Sequence, residues 1–133
     1  MADNIDDDLK IEAINWLLNV GSPTRPPGFK LRLMAVNGNA VTNGTEITAG
    51  GGYVALGETL VWDTAADIGG TISAPNQAVS WTNMPAASIV GVEVWDTSGS
   101  PRRVLWAPLV ASKTVNSGDT FLFEAGKLRF QLD

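Results

Sequence analysis

A chain of 133 residues, 44% hydrophobic and 17% charged, is long enough for one domain around a single core and too apolar for wholesale disorder. It has no cysteine and no histidine, which excludes a disulfide framework and a thiolate metal site and removes the commonest general base and transition-metal ligand together; no cofactor is expected. A net charge of −5 opposes adhesion to nucleic acid or an anionic membrane surface, and no apolar run reaches the ~20 residues of a membrane span, so neither is an expected partner.

The first eight residues, Met1-Ala-Asp-Asn-Ile-Asp-Asp-Asp, are acidic where a signal peptide is basic, which predicts a protein made in the cytoplasm. One helix is expected, from Asn4 to Val20. Asp3 or Asn4 can cap it, and Asp6, Asp7 and Asp8 in its first turn complement the positive end of the helix dipole. Leu9, Ala13, Trp16, Leu17 and Val20 recur at helical spacing as one stripe, while Ile11, Ile14 and Leu18 fall on a second side. Two covers are open for that broad apolar surface. Either the helix is wedged between the sheet and a loop of its own chain, or a neighbouring subunit lies on the second side. Gly21-Ser22-Pro23 stops the helix, and Pro26-Pro27 stiffens the connector that follows.

Phe29 to Val36 alternates as a strand, with Asn37-Gly38 a turn signal after it. Residues 37 to 57 read as a long surface loop carrying short strands around Thr45 to Thr48 and Tyr53 to Ala55. The Gly50-Gly51-Gly52 run lacks the lysine and following helix of a phosphate loop. Thr59 to Asp63 is a strand, Ala65 to Gly70 a turn, and Gln77 to Trp81 a strand. The stretch from Ser88 to Leu109 organises the rest: Val90, Val92 and Val94 share one face, residues 96 to 101 turn, and Val104 to Leu109 returns as a second apolar strand with Trp106 in the core. Phe121 to Phe123 and Lys127 to Leu132 are the last strands. About eight short strands without a second helix predict a mainly β protein, an antiparallel β-sandwich of jelly-roll-like form with one N-terminal helix, in a single domain.

Glu93 with Asp96, or Asp63 with Asp67, could stage a glycosidase pair, but strand ends and turns are where carboxylates are solvated or cap a backbone amide. The Asp6-Asp7-Asp8 run lacks the glycine and distal glutamate of a calcium loop, so no metal site is expected. Five tryptophans raise a carbohydrate-binding reading, with Trp95 opposite the valine face as a candidate for exposure; the same ring could meet the helix or another subunit. Arg102 and Arg103 at the hairpin turn are solvated on the simplest reading, or pair with the acidic N-terminus of an adjacent copy. Ile11, Ile14, Leu18, Trp95, Arg102 and Arg103 are therefore the candidate interface residues.

Five stretches carry a resemblance: Ile14-Asn15-Trp16-Leu17-Leu18, Leu31-Arg32-Leu33-Met34 ahead of Asn37-Gly38, Ser80 to Ala86, Val90 to Asp96, and Ala111 to Thr120. Taken in this order they are similar to short bacteriophage virion proteins, described either as head decoration (cement) proteins or as tail-fibre-like proteins. The resemblance implies a non-enzymatic structural protein with no catalytic residue. A fibre usually shows repeats, a shaft or a coiled coil, whereas this chain has one short helix, so capsid decoration is expected first, a tail or tail-fibre component second and a carbohydrate-binding module third. The implied partners are the major capsid protein and copies of the chain itself, as a homotrimer on the outer surface of the head.

Overall fold

The computed structural model describes residues 5–131. It contains one helix, α1 (Asp7–Leu17), and ten antiparallel strands. The strands are β1 (Phe29–Val36), β2 (Thr45–Glu46), β3 (Glu58–Leu60), β4 (Ala66–Ile68), β5 (Thr71–Pro75), β6 (Val79–Trp81), β7 (Ala87–Asp96), β8 (Arg103–Val115), β9 (Phe121–Phe123) and β10 (Arg129–Gln131). The main sheet runs β2-β1-β7-β8, with β3 sharing the β1 edge; β10-β5-β4 and β6-β9 are smaller sheets. The fold is the expected mainly β, antiparallel, sandwich-like one with its helix near the N-terminus.

Register explains why β7 is central. Leu31 stands opposite Val94 and Leu33 opposite Val92, and across the other edge Val94 meets Leu105 and Val92 meets Ala107, so the three strands present one continuous apolar face. Phe123 and Phe130 of the smaller sheets, with Trp62 and Leu128 beside them, line a cavity of about 330 Å³ with Val92, Val94, Leu105 and Ala107. Aromatic rings carry the core onward, from Tyr53 to Trp81 at 6.1 Å, Trp81 to Phe121 at 6.0 Å and Phe121 to Phe123 at 5.2 Å.

The second face of β7 is buried as well, which the alternation of valines does not foretell. Arg32, Glu93 and Trp106 share a row on it, as do Lys30, Trp95 and Arg103. Trp106 is thus half-buried on the polar face rather than in the core, because it pairs with Glu93 and not with a valine. The loop from Asn37 to Gly44 closes over this layer. Gly91 makes room for it: a Cβ there would meet Asn37 Oδ1 at 1.8 Å and the Ala107 carbonyl at 2.9 Å.

Several elements differ from expectation for local reasons. The helix is shorter at both ends than Asn4 to Val20, and the suggested caps Asp3 and Asn4 lie outside the described residues, as does Leu132. Asp6 takes the N-cap position without a side-chain cap bond, its carboxylate being engaged by Arg103 instead. Helix α1 buries none of its residues, so it is not wedged between sheet and loop. The turn expected over Ala65 to Gly70 is largely strand: β4 and β5 form a hairpin about Gly69-Gly70, both at positive φ, with Asp67 Oδ1 accepting the Gly70 N–H at 2.8 Å. Tyr53 forms one bridge to Gly50 rather than a strand; its hydroxyl accepts from the Leu33 N–H at 3.1 Å and donates to Glu46 at 2.5 Å. Strand β8 runs beyond Leu109 to Val115, with its ladder to β7 interrupted where Ile89 meets Lys113 and Gly91 meets Pro108.

Candidate interaction surface

The chain entering α1 is fastened to the main sheet. Ile5 bridges to Leu105 and the Asp6 N–H donates to the Val104 carbonyl at 3.0 Å, so residues 5–6 lie along the outer edge of β8. Beneath them sits Arg103, only 5% exposed. Its guanidinium donates to Asp6 at 3.1 Å, Glu93 at 3.3 Å, the Thr42 carbonyl at 3.0 Å and the Asn39 carbonyl at 2.6 Å. Glu93, 1% exposed, also accepts from the Gly44 N–H at 2.7 Å and the Trp95 indole at 3.0 Å. A buried carboxylate is tolerable only when paired and hydrogen-bonded, and here the cation, an amide and an indole supply that.

A second fork holds the helix itself. Arg102 places its two terminal nitrogens on Glu12 at 3.0 and 2.5 Å and its Nε on Asp96 at 3.2 Å. The Arg102 guanidinium holds the Glu12 carboxyl below the usual range. Burial pushes Asp96 up, but hydrogen bonds from Ser98 and Arg102 outweigh it and leave that carboxyl lowered as well. Leu9 adds apolar contact with the core. Toward its C-terminal end α1 leaves the body of the protein, and a groove of about 500 Å³ opens between Trp16 and Ala13 on one side and Pro23 to Pro26 on the other.

Exposed apolar side chains crowd the C-terminal half of the helix, while Asp7 and Lys10 pair at 3.2 Å in its first turn. Ile11 is 56% exposed, Ile14 56%, Leu17 74% and Leu18 64%, with Trp16 and Val20 also exposed. The six candidate interface residues thus separate into two groups. Ile11, Ile14 and Leu18 lie together on the outward side of the helix. Trp95, Arg102 and Arg103 are instead engaged within the chain: Trp95 is half-buried with the Arg32 guanidinium 3.9 Å from its ring centre, and the two arginines pair with acidic residues of their own N-terminal segment. Arg103 is not solvated.

Asp6, Glu12 and Glu93, which complete the fastening, are not marked by local spacing; opposite charge is the signal that was there to use. Glu93 and Asp96 are each committed to an arginine, and Asp63 and Asp67 are exposed. Among the described residues no helix is long and apolar enough to cross a membrane.

No curated protein matches the chain. Residues 4–131 match the family described as podophage GP4 fiber I protein gp80. That match spans nearly the whole sequence, including the helix, the fastening arginines and every strand, and the chain belongs to this family of phage virion proteins.

Proposed function

We propose that the protein is a non-catalytic structural component of a phage tail fibre. The observation that carries this reading is the family match over residues 4–131, whose description names a fibre. It reverses the order expected from the sequence, where compactness favoured capsid decoration and contact with the major capsid protein. A short chain without repeats is compatible with a fibre built from several different chains, so compactness does not weigh against it. The engagement of Glu93 and Asp96 by arginines supports a role in assembly rather than turnover.

Cryo-EM of purified particles with a labelled antibody against the chain tests the location. Label on the tail is the expected result. Label spread over the head lattice would restore the decoration reading, and glycan hydrolysis by the purified protein that is lost on Glu93→Gln would overturn the non-catalytic one.

A further inference from the structure

We propose that the cavity lined by the main sheet and the smaller sheets is a binding site for a single-chain anionic amphiphile, of which a medium-length fatty acid is the simplest form. The proposal concerns the interior of the fold and does not depend on whether the protein sits on tail or head.

Packed sheets interdigitate their side chains, and protein cores hold few voids larger than a water molecule. Much of this core obeys that rule, with Leu31, Leu33, Ile89 and Val104 wholly buried. Beside Ala107 it is broken. Strand β8 carries Leu105, Ala107 and Leu109 at alternate positions against the core, and the methyl group of Ala107 leaves the middle of that row short. Trp62 and Phe130 line the same space and brace each other edge to face, their ring centres 6.0 Å apart. About 330 Å³ is left open, within the ~300–1,000 Å³ of small-molecule sites.

The lining decides what fits. Its walls are aliphatic and aromatic, so water inside finds few hydrogen-bond partners and an apolar body displaces it readily. Exposed lining residues mark the mouth, and two of them are the cations Lys127 and Arg129. Among the described residues no aspartate or glutamate lines the cavity, although the chain as a whole carries a net charge of −5. Nor does either cation form a salt bridge among those residues; Arg129 Nε makes one long bond, 3.4 Å to the Gly126 carbonyl. Both charges are open to a carboxylate at the mouth while its chain lies inside, and a guanidinium with an ammonium favours an anion over an alcohol of the same length. The volume admits one short chain rather than a two-chain lipid.

The test uses the full chain and sodium decanoate below its micellar concentration. Calorimetry should show saturable binding of one decanoate per chain, with a change in tryptophan fluorescence that Trp62→Phe removes. Decanol, the same chain without the charge, should bind about tenfold more weakly, the factor expected when a charge-assisted hydrogen bond is lost. Lys127→Gln with Arg129→Gln should bring decanoate down to the affinity of decanol, and Ala107→Leu, which fills the gap, should abolish binding of both. If Ala107→Leu does not fold, the two glutamine substitutions, at exposed positions, still decide the matter. Ile14→Asp with Leu18→Asp should leave binding unchanged, since the exposed helix side chains are the other surface on which an amphiphile could settle. Absence of saturable binding overturns the proposal, as does equal affinity for decanoate and decanol, binding that a folded Ala107→Leu retains, binding lost with the helix substitutions, or retention on phosphatidylglycerol vesicles by a chain that takes up no monomeric decanoate.

Discussion

Replacing Arg103 by Met keeps an apolar stem of similar length and removes only the cation and its donors. Glu93 then remains 1% exposed with one amide and one indole donor but without its ion-pair partner; the Asn39 carbonyl loses the guanidinium and the Thr42 carbonyl keeps only the Asn39 N–H. Removing one member of a buried ion pair costs about 3–5 kcal/mol. For a chain of this size each kcal/mol lowers the thermal midpoint by about 3 °C, so Arg103→Met should melt about 10–15 °C below wild type. Urea unfolding followed by tryptophan fluorescence gives the free energy directly. The decisive comparison is Glu93→Gln. In the wild type it should destabilise, because Arg103 loses a carboxylate; in the Arg103→Met background it should stabilise by about 1–3 kcal/mol, because it removes an orphaned charge. A loss below about 1 kcal/mol for Arg103→Met, or the same sign for Glu93→Gln in both backgrounds, would refute the claim that this pair is buried and mutually dependent.

Three further outcomes are expected. Glu12 and Asp96 have lowered carboxyl pKa values in the folded protein, so their stabilising effect is complete above the usual values of 4.5 and 3.8 and is lost as pH falls below them through the folded values; the urea midpoint should decline with acid over that range, and less so in Arg102→Met. Tyr53→Phe leaves the Leu33 N–H without its acceptor and Glu46 with only the Leu56 N–H as donor, and should cost about 1–3 kcal/mol by the same unfolding assay, with amide exchange at Leu33 speeding up. Gly91→Ala drives a methyl against Asn37 Oδ1 and should cost about 1–3 kcal/mol, of which Asn37→Ala recovers a measurable part; no recovery would mean that the Ala107 carbonyl, not the loop, sets the limit.

What could be read from the sequence follows the range over which each signal acts. Strand β1 was legible residue for residue, because alternation over Phe29 to Val36 is local and its end is marked by Asn37-Gly38. The apolar surplus of the helix was legible for the same reason: Ile11, Ile14 and Leu18 are separated by single turns. The β4–β5 hairpin was not, since Ala66–Ile68 has no alternation to show and its pairing is set by Gly69-Gly70 and the Asp67 side chain. The buried polar face of β7 was hidden more deeply. Val-Gly-Val-Glu-Val-Trp has the pattern of a strand with one wet face, and only the loop from Asn37 to Gly44, some 50 residues earlier, makes that face dry.

The two arginines show how the legible and the hidden parts fit together. An acidic N-terminus and an Arg102-Arg103 pair are visible as complementary charge, yet charge alone does not say whether they meet within one chain or between two. Burial decides it. A guanidinium 5% exposed beneath Asp6 requires its partners in every copy, folded alone or assembled, whereas exposed charges could wait for a neighbour. With the charges satisfied internally, the helix is held to the sheet by its polar side, and its apolar side stays exposed. The division has a physical consequence: acid that neutralises Glu12 and Asp96 should free the helix from the sheet while the apolar core of the main sheet holds.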